Sequence, residues 1–347
     1  MTPEIVEQLT NEQLSEVLGL VKAATTVDGV APLSEQVLLA VRDTSPASTR
    51  PASTSPASAT GSSHPVHLLA YSGTHLSGYA HLEPDVAGQA ATGEVVVDPS
   101  YRRQGIGTAL IHALEDALTS SPAGASVDAS AEAHAGQAET LQLWSHGDLE
   151  GARAFALRGG FSAVRELWQM RRSLRSDAAA LPAINLPEGF RTRRFVVGRD
   201  EEAWLRVNAR AFVDHPEQGR MTRHDLDRRI AEPWFDAVGF ILIEDIRGLE
   251  PVLAASHWTK IVPAEDPQAR PTEGEVYVVG VDPAYQGLGL GRTVTVLGLA
   301  HLREKGVTEA MLYVDADNQA AVATYFRLDF ARSAVDIMYS RIVHTPV

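Results

Sequence analysis

Gly274-Glu275-Val276-Tyr277-Val278-Val279-Gly280-Val281-Asp282-Pro283-Ala284-Tyr285-Gln286-Gly287-Leu288-Gly289-Leu290-Gly291 opens as a β-branched and aromatic run, the composition of a buried strand. Asp282-Pro283 ends that strand, because proline donates nothing to a ladder and restricts the residue before it. Three glycines follow at alternating positions, and Arg292 to Ala300 then reads as helix. A strand, a glycine-rich turn and a helix N-terminus together make an anion site, since unpaired N–H groups and the helix dipole face one point. The glycines tolerate positive φ and let backbone approach a bulky ligand.

The chain contains this arrangement twice. Val97-Asp98-Pro99-Ser100-Tyr101-Arg102-Arg103-Gln104-Gly105-Ile106-Gly107 aligns with Val281 to Gly291, and Asp98–Asp282 and Gly105–Gly289 are both 184 residues apart. Six of the eleven positions are identical. A lone Gly-x-Gly is weak, but a duplicated strand, loop and helix at half-chain spacing predicts tandem homologous domains.

Composition bounds what such domains do. At 347 residues the chain is long enough for two ordinary cores, and 44% hydrophobic content without a bilayer-length apolar run fits a soluble protein. The acidic, polar start MTPEIVEQLTNEQ argues against a secretion signal. The absence of cysteine excludes disulfides and thiolate metal sites; a cytoplasmic location and no metal are expected. A net charge of −14 argues against nucleic acid or an anionic membrane as partner, so a polyanionic ligand has to be held by local geometry.

In order, Thr10 and Gln13 form a capping box for a helix carrying Leu14, Val17, Leu18 and Val21, and Ser34 to Val41 reads as a second helix. Residues 44–63 and 120–138 are low-complexity insertions, expected to be disordered and to add nothing to a core. His67–Ala70 and Ser77–His81 form a strand pair, Glu94–Val97 is the first copy of the central strand, and Thr108–Leu118 its helix. Leu141–Ser145, Leu149–Arg158 and Phe161–Met170 close the first half as strand, helix and strand. The second half repeats the order: a strand from Arg191, a helix capped by Asp200, a turn at His215–Gly219 and a helix at Thr222–Ile230. Strands at Phe240–Glu244 and Leu253–Lys260 precede the central stretch, and Ala310–Val314, Asn318–Leu328 and Asp336–Arg341 close it. The expected fold is mixed α/β, a mostly antiparallel sheet with flanking helices, in two domains at 1–172 and 189–347 joined by a linker at 173–188.

Two side chains are candidates for proton transfer. Glu275 is a carboxylate inside an apolar strand, either an edge residue facing water or a general base beside the bound anion. Tyr325 lies seven residues after Asn318, about 20° away in direction on one helix, either as a packing tyrosine or as a general acid. The first half has Ala156 opposite Tyr325 and, by the 184 offset, Ala91 opposite Glu275. One catalytic and one ligand-binding domain follow from that asymmetry.

The (Q/R)-x-x-G-x-G loop between strand and helix, followed by an Asn-start helix with Tyr shortly before Phe, resembles the GNAT acyltransferase superfamily in two tandem copies. Ala24–Pro32, Ala211–Gly219, His257–Lys260 and Gly274–Pro283 further resemble a tandem branch that acetylates a small thiol-sugar. The resemblance implies acetyl-CoA as co-substrate, held in the first copy by Val95-Val96-Val97 and Arg103-Gln104-Gly105-Ile106-Gly107-Thr108. In the second copy it implies Val279-Gly280-Val281, Gln286-Gly287-Leu288-Gly289-Leu290-Gly291-Arg292 and Asn318-Gln319-Ala320-Ala321-Val322-Ala323. It also implies acceptor contacts at Glu35, Glu217, Lys260, Glu275 and Tyr313, and catalysis by Glu275 and Tyr325 on a cysteinyl amine; a monomer is expected. Two departures stand out. The second loop has Gly287 and Leu288 where a basic residue is common, and Asp329 replaces the usual glycine before Phe330, in a turn expected to survive because aspartate tolerates the left-handed region. Rival readings are a GNAT enzyme for another small amine or a protein N-terminus, and a non-catalytic acetyl-CoA sensor.

Overall fold

The computed structural model describes residues 2–42, 65–83, 90–120, 138–213, 215–262 and 272–344. The expected insertion at 44–63 lies outside these, as does that at 120–138 apart from its two end residues. Along the chain the elements are β1 (Glu4–Val6), α1 (Asn11–Asp28), α2 (Glu35–Arg42), β2 (Val66–Ser72), β3 (His75–Glu83), β4 (Ala91–Val97), α3 (Ile106–Ser120), β5 (Ala138–Ser145), α4 (Glu150–Arg158) and β6 (Ser162–Ser173). They continue as β7 (Phe190–Arg194), α5 (Glu201–Ala211), α6 (Pro216–Gly219), α7 (Arg223–Ile230), β8 (Phe240–Asp245), β9 (Val252–Lys260), β10 (Glu273–Val281), α8 (Leu290–Glu304), β11 (Glu309–Asp315), α9 (Gln319–Arg327) and β12 (Ala331–His344).

The chain divides into two compact units, residues 1–167 with 335–347, and residues 168–334. This corrects the expected boundaries in three places. The first unit ends at Leu167 rather than at 172, and the last strand from Val335 belongs to the first unit. The segment expected as a linker belongs to the second unit, where Leu174 is buried in a core with Met170, Leu299 and Leu312, and Leu181 packs against it. Within the first unit the strand order is β1-β2-β3-β4-β5-β12, and β12 runs antiparallel to β5 from Ile337↔Ser145 to His344↔Ala138. In the second the order is β6-β11-β10-β9-β8-β7. Ile337, Tyr339 and Val343 alternate along β12 and enter the same core as Leu110, Leu114 and Leu141, which is why that strand belongs there.

Each sheet is covered on both faces. In the first unit α1 and α2 lie on one face, with Val17, Leu20 and Val37 packed against Leu69, Tyr79 and Val96. The α3 helix covers the other, with Ile106, Leu110 and Leu114 against Leu68, Ala80 and Leu141. The second unit repeats this, with α5 and α7 against Trp258, Phe240 and Val278 on one face. On the other face Leu290 and Val294 of α8 meet Ile241 and Ala254, and Val296 and Leu299 of the same helix pack with Val276 and Leu312.

The helix ends follow local chemistry at Thr10, Gly29 and Asp329 but not at Asp200. Thr10 and Gln13 make the capping box, and Gly29 ends α1 at φ 71°. Asp329 takes φ 59° and the turn closes, Phe330 N–H donating to the Tyr325 carbonyl at 3.1 Å; the equivalent residue of the first unit is Gly160 at φ 75°. Asp200, expected to cap α5, makes no cap bond. Its carboxylate accepts the Val196 N–H at 2.8 Å and pairs with Arg193 and Arg199, which holds the chain before the helix instead. The His215–Gly219 turn contains the single helical turn α6.

Candidate active site

The two Asp-Pro loops are built alike. Asp98 donates its N–H to the Ser77 carbonyl at 3.0 Å and accepts the Ser100 N–H at 2.8 Å. Asp282 does the same with Ala254 and Ala284, both at 2.9 Å. Arg102 and Gln286 share φ −65° and ψ 158°. The next residue enters the left-handed region, Arg103 at φ 64° and Gly287 at φ 78°, as do Gly105 and Gly289 at 85° and 76°. A side chain there costs roughly 1 kcal/mol or more, so the first loop bears a strain that Gly287 removes from the second.

A Cβ at Gly105 or Gly289 would meet nothing within 4 Å. These glycines therefore supply backbone conformation and an uncovered face in front of the first-turn amides of α3 and α8. That donor set fits the oxygens of a pyrophosphate. Arg102 is committed elsewhere, its guanidinium bonded to both oxygens of Asp28 at 2.8 and 2.6 Å. Arg103 is left as the basic side chain of the first loop; Gln286, Gly287 and Leu288 put no charge in the second.

Beside each loop the sheet opens. Among the described residues, β4 pairs with β5 in parallel only from Ala91↔Leu141 to Gly93↔Leu143, although the strands run on to Val97 and Ser145. The β10–β11 pairing likewise stops at Glu275↔Met311. Beyond those points the strands splay, and the backbone of Val95–Val97 and Val279–Val281 on that side is left to pair with an extended ligand.

The second unit adds a feature that the first lacks. Between Val276↔Thr259 and Val278↔Trp258 the β10–β9 register slips, so Tyr277 is a β-bulge. Val279 and Val281 face α8. Strict alternation would send Tyr277 and Glu275 to that face too; the extra residue reverses the sense, and Tyr277 joins Val278 on the α5–α7 face. Glu275 lies there opposite Lys260, with Nζ 3.8 Å from Oε2 and only 11% and 19% of the two side chains exposed. The Lys260 ammonium sits 5.0 Å from the Trp234 ring and 5.1 Å from that of Tyr277, whose hydroxyl accepts the Arg229 Nε–H at 2.8 Å. The bulge also corrects the sequence alignment of the halves: the register mate of Glu275 is Thr92, not Ala91. Neither is a carboxylate.

Tyr325 packs in the second unit's core, edge-on to Phe330 at 5.8 Å, and burial raises its hydroxyl to about 12. It is therefore a hydrogen-bond donor throughout the neutral range. Asn318 caps α9, its side-chain oxygen accepting the Ala321 N–H at 3.1 Å, and Gln319 to Ala323 form the first turns of that helix. Tyr313, on β11 two residues beyond the mate of Glu275, accepts from Gln169 Nε2 at 3.1 Å. Glu35 opens α2 in the first unit, and Glu217 lies on α6, its side chain outside the described residues. The structure thus brings together Glu275 and Lys260. Sequence reasoning missed Arg229, Trp234 and Tyr277, whose aromatic and basic character had no local motif to mark it.

The model of the acetyltransferase (GNAT) family matches residues 38–158 and again 201–330. The chain belongs to the GNAT family. It is an acetyltransferase, and both GNAT regions carry the loop and splayed strands described above. The chain is 46% identical to a mycothiol acetyltransferase of Thermomonospora curvata over 95% of this chain and 94% of that one. With a mycothiol acetyltransferase of Thermobispora bispora the identity is 45%, over 98% and 100%. Among solved structures, a tandem GNAT protein from the clavulanic acid pathway matches with TM-score 0.65 and 16% identity, covering 98% of each chain. A GCN5-related N-acetyltransferase of Sphaerobacter thermophilus matches at 0.62 and 20%, covering 100% of this chain and 98% of that one. Among the described residues no helix is long and apolar enough to cross a membrane.

The first GNAT region has a polar cluster of its own that sequence reasoning also missed. Glu94 of β4, two residues from Val96 on the α1–α2 face, is buried at 3% exposure. His146, just after β5, places Nε2 3.7 Å from Glu94 Oε1 and Nδ1 3.0 Å from Asp336 Oδ2 on β12. The Gly147 N–H donates to the other Asp336 oxygen at 2.8 Å. Burial alone would lower the imidazole, but the two carboxylates prevail and hold it at about 10, well above its ordinary 6.5. A folded-state value above the unfolded one adds stability that is complete below about pH 6.5 and is lost as pH rises toward 10. The melting temperature of the native chain should therefore fall more steeply between pH 7 and 10 than that of His146→Gln. Parallel curves would mean that His146 is not charged in the fold.

Proposed function

We propose that this enzyme transfers acetyl from acetyl-CoA to the cysteinyl amine of 1D-myo-inositol 2-(L-cysteinylamino)-2-deoxy-glucopyranoside, the last step of mycothiol biosynthesis. The observation that carries the reading is the half-buried Glu275–Lys260 pair, turned by a bulge onto the acceptor face of the splayed strand, in a chain whose full-length relatives are mycothiol acetyltransferases. The second unit is the catalytic one. There the amides of Gly287–Arg292 and the N-terminus of α8 hold the pyrophosphate, and Val279–Val281 pair with the pantetheine arm. The Asn318–Ala323 turns of α9 line the same cleft.

Glu275 takes the proton of the attacking amine, directly or through water. A free α-amine titrates at about 7.7–8.0, so a modest base is sufficient. Backbone N–H near Val279–Val281 polarises the acyl carbonyl. Tyr325 donates to the departing sulfur; a phenol held near 12 is a weaker acid than a thiol at about 8.5, so it acts by a hydrogen bond that strengthens as charge develops. Lys260 and Tyr313 contact the acceptor. The first unit binds acetyl-CoA through Val95–Val97 and Arg103–Thr108 without turning it over.

The test is mass spectrometry of products formed from acetyl-CoA and a panel of amines containing the cysteinyl thiol-sugar, glucosamine, polyamines and peptide N-termini. Acetylation confined to the thiol-sugar is the expected result. Preference for a peptide or polyamine would replace the reading.

A further inference from the structure

Tyr313 and Glu275 share one face of the second unit's sheet. Ala310, Leu312 and Val314 of β11 enter the core under α8 together with Val276, so Met311, Tyr313 and Asp315 face the other way. Asp315 on that face pairs with His215, just past α5, at 3.0 Å. Met311 is the register mate of Glu275, and Tyr313 stands one same-face position further on, where β10 and β11 have parted.

A neighbouring amide fixes the Tyr313 hydroxyl. Gln169 of β6 donates from Nε2 to the phenol oxygen at 3.1 Å. Its other contacts settle which end of the amide faces Tyr313. The Arg171 Nε–H donates to Gln169 Oε1 at 3.2 Å, and the Ser333 hydroxyl reaches the same oxygen at 3.1 Å. A guanidinium has only donors, so the amide oxygen stays with Arg171 and the nitrogen with Tyr313. Arg171 is held in turn by the carboxylates of Glu273 and Glu309. A phenol oxygen that accepts from Gln169 has to aim its own O–H in another direction. In the first unit Trp144 stands at the register position of Tyr313, with Met338 as its mate on the adjoining strand. Neither side chain forms such a pair, in the unit read above as non-catalytic.

We infer that Gln169 is a positioning residue that sets Tyr313 as a hydrogen-bond donor, and that the acceptor presents it with an oxygen lone pair, from a carbonyl or a hydroxyl. The inference rests on Tyr313 touching the acceptor, as proposed above. Arg171 and Ser333 keep the amide from turning over.

The test compares two replacements of Gln169 in the full chain, with the cysteinyl thiol-sugar as acceptor. Gln169→Glu keeps the shape and an oxygen for Arg171 and Ser333 but has no N–H, so the Tyr313 hydroxyl would donate to the new carboxylate and be withdrawn from the acceptor. Gln169→Met removes the partner and leaves the hydroxyl able to turn toward the acceptor. Gln169→Glu should therefore raise the acceptor KM about tenfold and Gln169→Met about threefold at most, within the range of one hydrogen bond. In both, kcat and the acetyl-CoA KM should stay within about twofold. A packing role would reverse the order, since glutamate is the closer isostere. Tyr313→Phe should match Gln169→Glu, and the two changes together should add nothing. Tyr313 is 42% exposed, so the melting temperature should stay near native in all of them. In an unliganded crystal structure, Gln169→Glu should keep its contact with Tyr313 and shorten it to about 2.6 Å, the length of a hydroxyl donating to a carboxylate.

Gln169→Met as damaging as Gln169→Glu, additive losses in the Tyr313→Phe background, equal losses in kcat and both KM values, or a Tyr313 ring turned away from the new carboxylate would each overturn the inference. So would a Tyr313→Phe enzyme with native acceptor KM, since there would be nothing to position. Failure of the proposed function shows separately, as a native enzyme that does not acetylate the thiol-sugar. The crystal structure still decides whether Gln169 sets the direction of the hydroxyl.

Discussion

Gly289→Glu should abolish turnover, and Gly105→Glu should leave it largely intact while removing one acetyl-CoA from the binding stoichiometry. The local damage is matched in the two variants. Both glycines have φ in the left-handed region, both have open space where a Cβ would go, and each immediately precedes the first turn of a helix. A glutamate there bears roughly 1 kcal/mol or more of backbone strain and sets a carboxylate before the first-turn amides proposed to hold the pyrophosphate. Like charges brought together cost several kcal/mol, on the order of 10³-fold in affinity. Any difference in outcome then reports what each unit does. Titration calorimetry gives the stoichiometry and steady-state kinetics the rate; equal loss of kcat in both variants would reassign the chemistry to both units.

The doubled loop was legible because its geometry is local. Asp-Pro, the alternating glycines and the helix start are neighbours in sequence, and the two copies reach the same φ and ψ at Arg102 and Gln286. Asp329 was legible for the same reason, since its conformation depends on its own side chain. The destination of the last strand was not. Ile337, Tyr339 and Val343 alternate as any half-buried strand does, and nothing in the alternation says which sheet receives it.

The site divides along the same line. Glu275 stands out as a carboxylate in an apolar run, yet its face is decided by the Tyr277 bulge, a single extra residue that leaves composition unchanged. Read by strict alternation, Glu275 would point at α8 and have no role in acceptor chemistry. Arg229, Trp234 and Lys260 meet only once that bulge has turned Tyr277 toward them. Glu94, His146 and Asp336 are further apart still, 52 and 190 residues, and no spacing rule links a strand carboxylate to a histidine at that distance.

Glu275→Gln should lower kcat/KM at neutral pH by about 10²–10⁴-fold, the usual contribution of a positioned acid or base. The substitution keeps shape and removes the base, so activity should recover in part above the amine's own value of about 8, where the acceptor deprotonates unaided. Lys260 makes the test more discriminating. Its ammonium is 3.8 Å from the Glu275 carboxylate and faces two aromatic rings that stay in place in the variant. If Glu275 served only to hold Lys260, the loss would fall on acceptor KM and would not relax at high pH. Tyr325→Phe gives the complementary result. The ring is buried in the core and the phenol is raised to about 12 by burial, so removing the oxygen should leave the melting temperature and acetyl-CoA affinity near native while kcat falls. The acceptor's thiol is a second nucleophile, and acetyl could pass through sulfur before reaching nitrogen; an acceptor with serine in place of its cysteine separates the routes. A Glu275→Gln enzyme with native rate and pH profile would leave the carboxylate as an acceptor ligand only, and the amine would then have to lose its proton to another group.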